Sequence, residues 1–194
     1  MKVCISSLFA APLGVHHIEY LAACKELGDL HLAIVNNDKQ VLIKGSCPFQ
    51  SERERFNIVS ELKCVDCVVL AIDSDGGVSE TLRKIVHDYT LIYGILDKFT
   101  GEAQKLDFFF AKGGGDRKSE SELPVKEVET CKELGIKIVF GVGSYEKTGA
   151  SSSSLSMAFK WHKEKYKEEI LGELLKEKFG INSVEELEKW IRCC

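Results

Sequence analysis

The sequence predicts an α/β protein built on a doubly wound, five-stranded parallel sheet. Three observations carry that reading. Five short apolar runs are spaced along the 194 residues, most of them rich in Val, Ile or Phe. Their apolarity is continuous rather than alternating, as in parallel strands covered on both faces. Helical patterns stand between the runs, and such alternation implies right-handed crossovers. The length suits one domain of moderate size with a real core.

The elements follow in order. Lys2–Ser6 reads as the first strand and Val15–Leu27 as the first helix, with Gly28 placed as its C-terminal cap. Leu30–Asn36 is the second strand. Asn36-Asn37-Asp38 and Lys44-Gly45 after it read as surface loop. Ser51–Leu62 opens with Ser51 and has Glu54 three residues on, the signature of a capping box. Cys67–Ile72 is the third strand and Val78–Ile85 the next helix. Val86–Lys105 breaks the rhythm: it is a mixed stretch with Tyr89, Tyr93 and Phe99, read as an insertion that packs on the domain or on a second subunit. Leu106–Ala111 is the fourth strand, Leu123–Leu134 a helix closed by Gly135, and Ile136–Phe140 the last strand. From Lys160 the chain is charged and helical, with a break at Gly180-Ile181-Asn182. The expected organisation is an α/β domain over 1–159, with an inserted segment at about 86–105, and a helical extension over 160–194.

Composition narrows the function classes. A net charge of −4 argues against a general nucleic-acid binder. No apolar run is long enough to span a bilayer, and Pro12 and Gly14 interrupt any signal-peptide pattern, so a cytoplasmic protein with no membrane partner is expected. Eight cysteines are many for such a protein, but most lie in apolar segments, where a free thiol behaves as a small hydrophobe. Cys64-Val-Asp-Cys67 has CxxC spacing without the second ligand pair of a zinc site. The final Cys193-Cys194 reads as a reduced tail. No protein-derived metal site is expected.

Ligands of doubly wound sheets bind beyond the carboxyl ends of the strands, near the switch in strand order. Five polar segments fall at such ends. His16 and His17 open the first helix, where free N–H groups attract phosphate and an imidazole adds a donor. Lys44 beside Gly45 can reach a triphosphate as a point charge. Arg53 and Arg55 lie on the helix after the second strand, one of them expected to face solvent. Lys112-Gly113-Gly114-Gly115-Asp116-Arg117 combines close backbone approach, an acceptor and a bidentate phosphate donor. Thr148-Gly149-Ala150-Ser151-Ser152-Ser153-Ser154 offers hydroxyls at a helix start.

These five segments, in this order, resemble the cytidylyltransferase-like nucleotidyltransferases, the superfamily with a His-x-Gly-His motif. The stretches "HIEYLAACKELGD", "VNNDKQVLIKG", "PFQSERERFNIVSELKCVDCVV", "VSETLRKI", "FAKGGGDR" and "CKELGIKIVFGVG" are similar to those of its small bacterial and archaeal members. The resemblance runs from Lys2 to about Leu155. It implies a Rossmann-like fold and transfer of CMP or AMP from CTP or ATP to a small phosphorylated alcohol or sugar. Pyrophosphate leaves, Mg²⁺ assists, and a homodimer is implied. By position, His17, Lys44 and Arg117 take the catalytic roles. Leu8, Phe9, Gly14, His16, Arg55, Gly114, Gly115, Asp116, Ser151, Ser152 and Ser153 take nucleotide-binding ones. The first motif departs from the pattern. Ala11 stands for the aspartate, Gly14 for the first histidine and His16 for the glycine, where an imidazole is expected to crowd the nucleotide. A catalytically impaired member that binds a nucleotide or phosphometabolite, or serves as a scaffold, is the alternative. His17 is expected to disfavour a proton at its helix N-terminus and to take one up as triphosphate binds.

Overall fold

A computed structural model describes residues 1–46, 48, 50–113, 119–143, 176, 177, 183 and 186. The chain divides into two compact units, Met1–Ser153 and Ser154–Cys194. In the second, Lys176, Glu177 and Glu186 are helical, and the Glu186 N–H donates to Ser183 Oγ at 3.2 Å.

The first unit runs β1 (Lys2–Leu8), α1 (Val15–Lys25), β2 (Leu30–Val35), α2 (Asp38–Ile43), α3 (Glu52–Ser60), β3 (Cys67–Leu70), α4 (Ser79–Thr100) and β4 (Asp107–Gly113). A short 3₁₀ turn, Glu120–Glu122, precedes α5 (Val125–Leu134) and β5 (Lys137–Val142). The sheet is five-stranded and parallel, in the order β3-β2-β1-β4-β5. The strand order reverses between β1 and β4, which places the switch point at the carboxyl ends of those two strands. The α/β, doubly wound fold expected from the sequence is the one present.

Both sheet faces are covered, which is why the strands carry no polar alternation. Val3, Ile5, Leu32, Ile34, Phe108 and Phe110 pack on one face with Leu82 and Ile85 of α4 and Cys131 of α5. Leu8, Ala33 and Val35 pack on the other with Leu21 of α1 and Val59 of α3. Cys4 and Cys24 extend that second core. Cys4, Cys24, Cys64, Cys67 and Cys131 are all free thiols.

Among the described residues, buried side-chain polar atoms are hydrogen-bonded except for Ser79 Oγ. His31 lies on β2, with its Nδ1 2.6 Å from the Cys64 carbonyl and its Nε2 2.8 Å from Ser6 Oγ. A carbonyl only accepts, so Nδ1 carries the proton and the Ser6 hydroxyl donates to Nε2. Burial holds this imidazole below the usual histidine range.

Three local expectations need correction. Asn36-Asn37-Asp38 is not open loop, because α2 begins at Asp38. The Asn37 side chain accepts from the Gln40 N–H at 3.0 Å, while Gln40 Oε1 accepts from the Asn37 N–H at 3.1 Å. Gly28 does not cap α1, which ends at Lys25 with Glu26 as its cap. A Cβ at Gly28 would lie 3.0 Å from both the Lys2 carbonyl and the Cys4 nitrogen, so glycine is needed there for close approach to β1. Finally, Val86–Lys105 is not a separate insertion. The helix expected to stop at Ile85 continues as α4 to Thr100, closed by Gly101 in the left-handed region at φ 73°. Tyr89 packs against the core and stacks on Tyr93, while Phe99 is exposed. The Gly135 cap of α5 is as expected, at φ 68°.

Candidate active site

The site is assembled at the carboxyl ends of β1 and β2, beside the switch point. After β1 the chain turns through Phe9 and Ala10, the latter at φ 48°, and enters α1 at Gly14. No acidic residue stands in the first turn of α1, so nothing there neutralises its positive end. The Gly14 N–H donates to Nδ1 of His17 at 3.0 Å. That bond fixes the tautomer: Nδ1 accepts, and the proton of the neutral ring sits on Nε2. Burial lowers the pKa of this imidazole to about 4, helped by the neighbouring His16 and Lys44. The site is therefore a preset Nε2–H donor at neutral pH. The disfavoured proton at His17 agrees with the expectation for the free site, and uptake of a proton at Nδ1 as triphosphate binds would require the bond from Gly14 to break.

Lys44 follows α2 as its C-terminal cap, with Nζ 4.2 Å from the centre of the Phe9 ring. Stacking on an aromatic face holds the ammonium without discharging it. His16 is exposed and packs against His17, with ring centroids 3.9 Å apart. One cation, two imidazoles and a helix start thus converge on one spot, an arrangement suited to polyphosphate.

The other candidates are placed differently. Leu8 is buried at the end of β1 and contributes to the core. Of the two arginines on α3, Arg53 faces solvent and Arg55 is fully buried. The Arg55 guanidinium donates to the Asn36 carbonyl and to Asp38 Oδ1, each at 2.7 Å, and also to the carbonyls of Phe9 and Gln50. It ties the loops after β1 and β2 to α3. Its role here is to position the site, not to present a free phosphate contact. Ala11, at the motif aspartate position, is buried. Gly114, Gly115, Asp116, Arg117, Ser151, Ser152 and Ser153 lie outside the described residues.

Sequence reasoning missed several supports of the site. Gln40 is fully buried and donates to the carbonyl of Asp75 at 3.0 Å, while Asn37 donates to those of Ala71 and Asp73. Together they join the loops after β2 and β3. The N-x-x-Q spacing of a capping box was the available signal. Lys112, at the end of β4, pairs with Glu127 at 2.8 Å, and both side chains are at least 96% buried. Glu127 also accepts from the Val78 N–H at the start of α4. Tyr20 of α1 donates to the Ala111 carbonyl at 2.8 Å, and its ring lies against Gly113. A Cβ on Gly143 would come within 3.1 Å of Tyr20 Cα, so α1 packs tightly on the end of β5. Among the described residues no group of three His, Cys, Asp or Glu comes together to hold a metal ion.

A five-stranded parallel sheet in this order is a Rossmann-like α/β fold of the nucleotide-binding kind, and the imidazoles and lysine stand beside its switch point. Its sequence and fold are similar to those of nucleotidyltransferases of the cytidylyltransferase-like superfamily. It is 34% identical over 107 residues to the bifunctional protein HldE of Syntrophotalea carbinolica, covering 49% of this chain and 22% of that one. It is 36% identical over 63 residues to the FAD synthase of Thermoplasma volcanium, covering 32% of this chain and 44% of that one. The chain spans less than half the length of these curated relatives. The crystal structure of a lipopolysaccharide core biosynthesis protein from Thermoplasma volcanium superposes with a TM-score of 0.51 and 25% identity, covering 75% of this chain and 98% of that one. No family model matches the chain. No helix among the described residues is long and apolar enough to cross a membrane.

Proposed function

We propose that this protein is a nucleotidyltransferase that moves CMP or AMP from CTP or ATP to a small phosphorylated alcohol or sugar. The observation that supports this most is the convergence of His17, His16 and Lys44 at the switch point. A phosphate oxygen of the acceptor attacks the α-phosphorus in line. The new P–O bond forms as the bond to the β-phosphate bridging oxygen breaks, and pyrophosphate leaves with that electron pair. No covalent enzyme intermediate is required, so the protein's work is positioning and charge neutralisation. His17 donates from Nε2 to the α/β-phosphates, and Lys44 balances charge on the leaving group. Arg117 and Asp116 border nucleotide and acceptor, Gly114 and Gly115 allow close backbone approach, and Ser151, Ser152 and Ser153 hold the triphosphate. Mg²⁺, implied by the superfamily resemblance, would offset triphosphate charge and would enter with the nucleotide, since no cluster of His, Cys, Asp or Glu among the described residues would hold it. The working unit is a homodimer in the cytoplasm.

A second reading rests on Ala11 and Gly14, which remove two motif side chains. There the chain binds a nucleotide or phosphometabolite without turnover, or acts as a scaffold. Calorimetric titration with CTP and ATP tests the shared ligand. Lys44→Ala and Arg117→Ala are each expected to weaken binding about tenfold without unfolding the protein, the loss of one charge-assisted contact. Unchanged affinity in both variants would remove the phosphate assignment.

A further inference from the structure

Gly14 carries no side chain, yet the space above it is filled. A Cβ built on Gly14 would lie 3.0 Å from Cε1 and 3.1 Å from Nδ1 of His16. Adjacent side chains on a helix diverge by about 100°, so neighbouring rings do not ordinarily meet. Here the rings of His16 and His17 stand 3.9 Å apart at 39°. The His16 imidazole has therefore folded back over the first turn, into the volume that a side chain at position 14 would need. Among the described residues its ring has no hydrogen-bond partner, whereas Nδ1 of His17 is held by the Gly14 N–H.

We propose that His16 supplies a second imidazole to the triphosphate site, standing in space for the histidine that position 14 lacks. The motif has kept both imidazoles and exchanged the places of histidine and glycine. Gly14 then serves a definite purpose: it leaves the room that the His16 ring occupies. This reverses the expectation that His16 crowds the nucleotide. The assignment rests on the proposed triphosphate site.

The test is calorimetric titration of the full chain with inorganic tripolyphosphate, CTP and ATP. Imidazole NMR of His16 is followed in parallel. His16→Ala is expected to weaken tripolyphosphate binding about tenfold, with its thermal midpoint unchanged because the ring is exposed. Gly14→Ala removes no functional group, and its extended backbone, φ −125° and ψ 170°, accepts alanine. It is nonetheless expected to weaken binding, because the new methyl displaces the His16 ring. The exchange variant, Gly14→His with His16→Gly, is expected to recover wild-type affinity. In the wild type, the His16 ring signals shift on adding tripolyphosphate. If His17→Ala weakens binding while His16→Ala and Gly14→Ala bind as the wild type does, the His16 assignment falls and the triphosphate site stands. An exchange variant that binds no better than His16→Ala also counts against it. A wild type that binds none of the three ligands overturns the triphosphate site and this assignment with it.

Discussion

A single backbone donor decides the chemistry of His17. Burial, with His16 and Lys44 nearby, keeps the folded ring neutral down to about pH 4, well below the ordinary 6.5, while the Gly14 N–H fixes which nitrogen accepts. As pH falls below 6.5 the unfolded chain takes up a proton that the folded site refuses until about 4. The conformational stability tied to this ring is intact above that window and is lost through it. His31, depressed by burial, adds in the same direction. The His17 ring resonances are expected to titrate near pH 4, and the urea midpoint to fall between pH 7 and pH 4.5. A His17 midpoint near 6.5 would contradict the burial of this ring in the folded site. The buried Lys112–Glu127 pair makes a second prediction at this scale. Glu127→Ala should cost about 3–5 kcal/mol in urea unfolding, because it removes the carboxylate that pairs with a buried ammonium. Lys112→Met with Glu127→Gln should recover much of that loss. A cost below about 1 kcal/mol for Glu127→Ala would show that the pair is solvated. Individual roles were only partly legible. His17 and Lys44 could be chosen by type and place. The burial of Arg55 could not, since an arginine on a helix carries no local sign of which face it occupies.

Among the elements, those with strong end signals were read well. Ser51 and Glu54 form the expected box, with the Ser51 N–H donating to Glu54 Oε2 at 2.8 Å. The same signal at Asn37 and Gln40 is harder to read, because α2 has only six residues. The length of α4 was misjudged for another reason. Its second half carries Gly94 and a mixture of aromatic and β-branched residues, each weakly unfavourable to helix. Its true stop is Gly101, whose left-handed φ satisfies the last turn. The two halves of α4 should differ in stability. Leu82 and Ile85 are buried, whereas Leu91, Ile92, Ile95, Leu96 and Phe99 are between 45% and 85% exposed. Amide exchange is therefore expected to be slow, at the global limit, for Leu82–Tyr89 and faster toward Thr100. Uniform protection along the whole helix would mean that another surface covers its outer half.

At the scale of the molecule, sequence pattern indicated a covered parallel sheet but could not order its strands. Order depends on which crossovers pass which face, and runs of apolar residues do not encode that. The order now places the carboxyl ends of β1 and β4 side by side. The α1 turn and the Gly113 end of β4 therefore meet across the switch point, where Tyr20 joins them. In the proposed function this point holds a triphosphate for nucleotidyl transfer. The most direct measurement follows CTP and ATP labelled at the α-phosphate, with Mg²⁺ and a panel of phosphorylated alcohols and sugars. Label is expected to pass into one acceptor with equimolar release of pyrophosphate, and His17→Ala to reduce this at least a hundredfold, the loss of one preorganised donor. Label that remains in the triphosphate with every acceptor, or that passes to water alone, would contradict the proposed function.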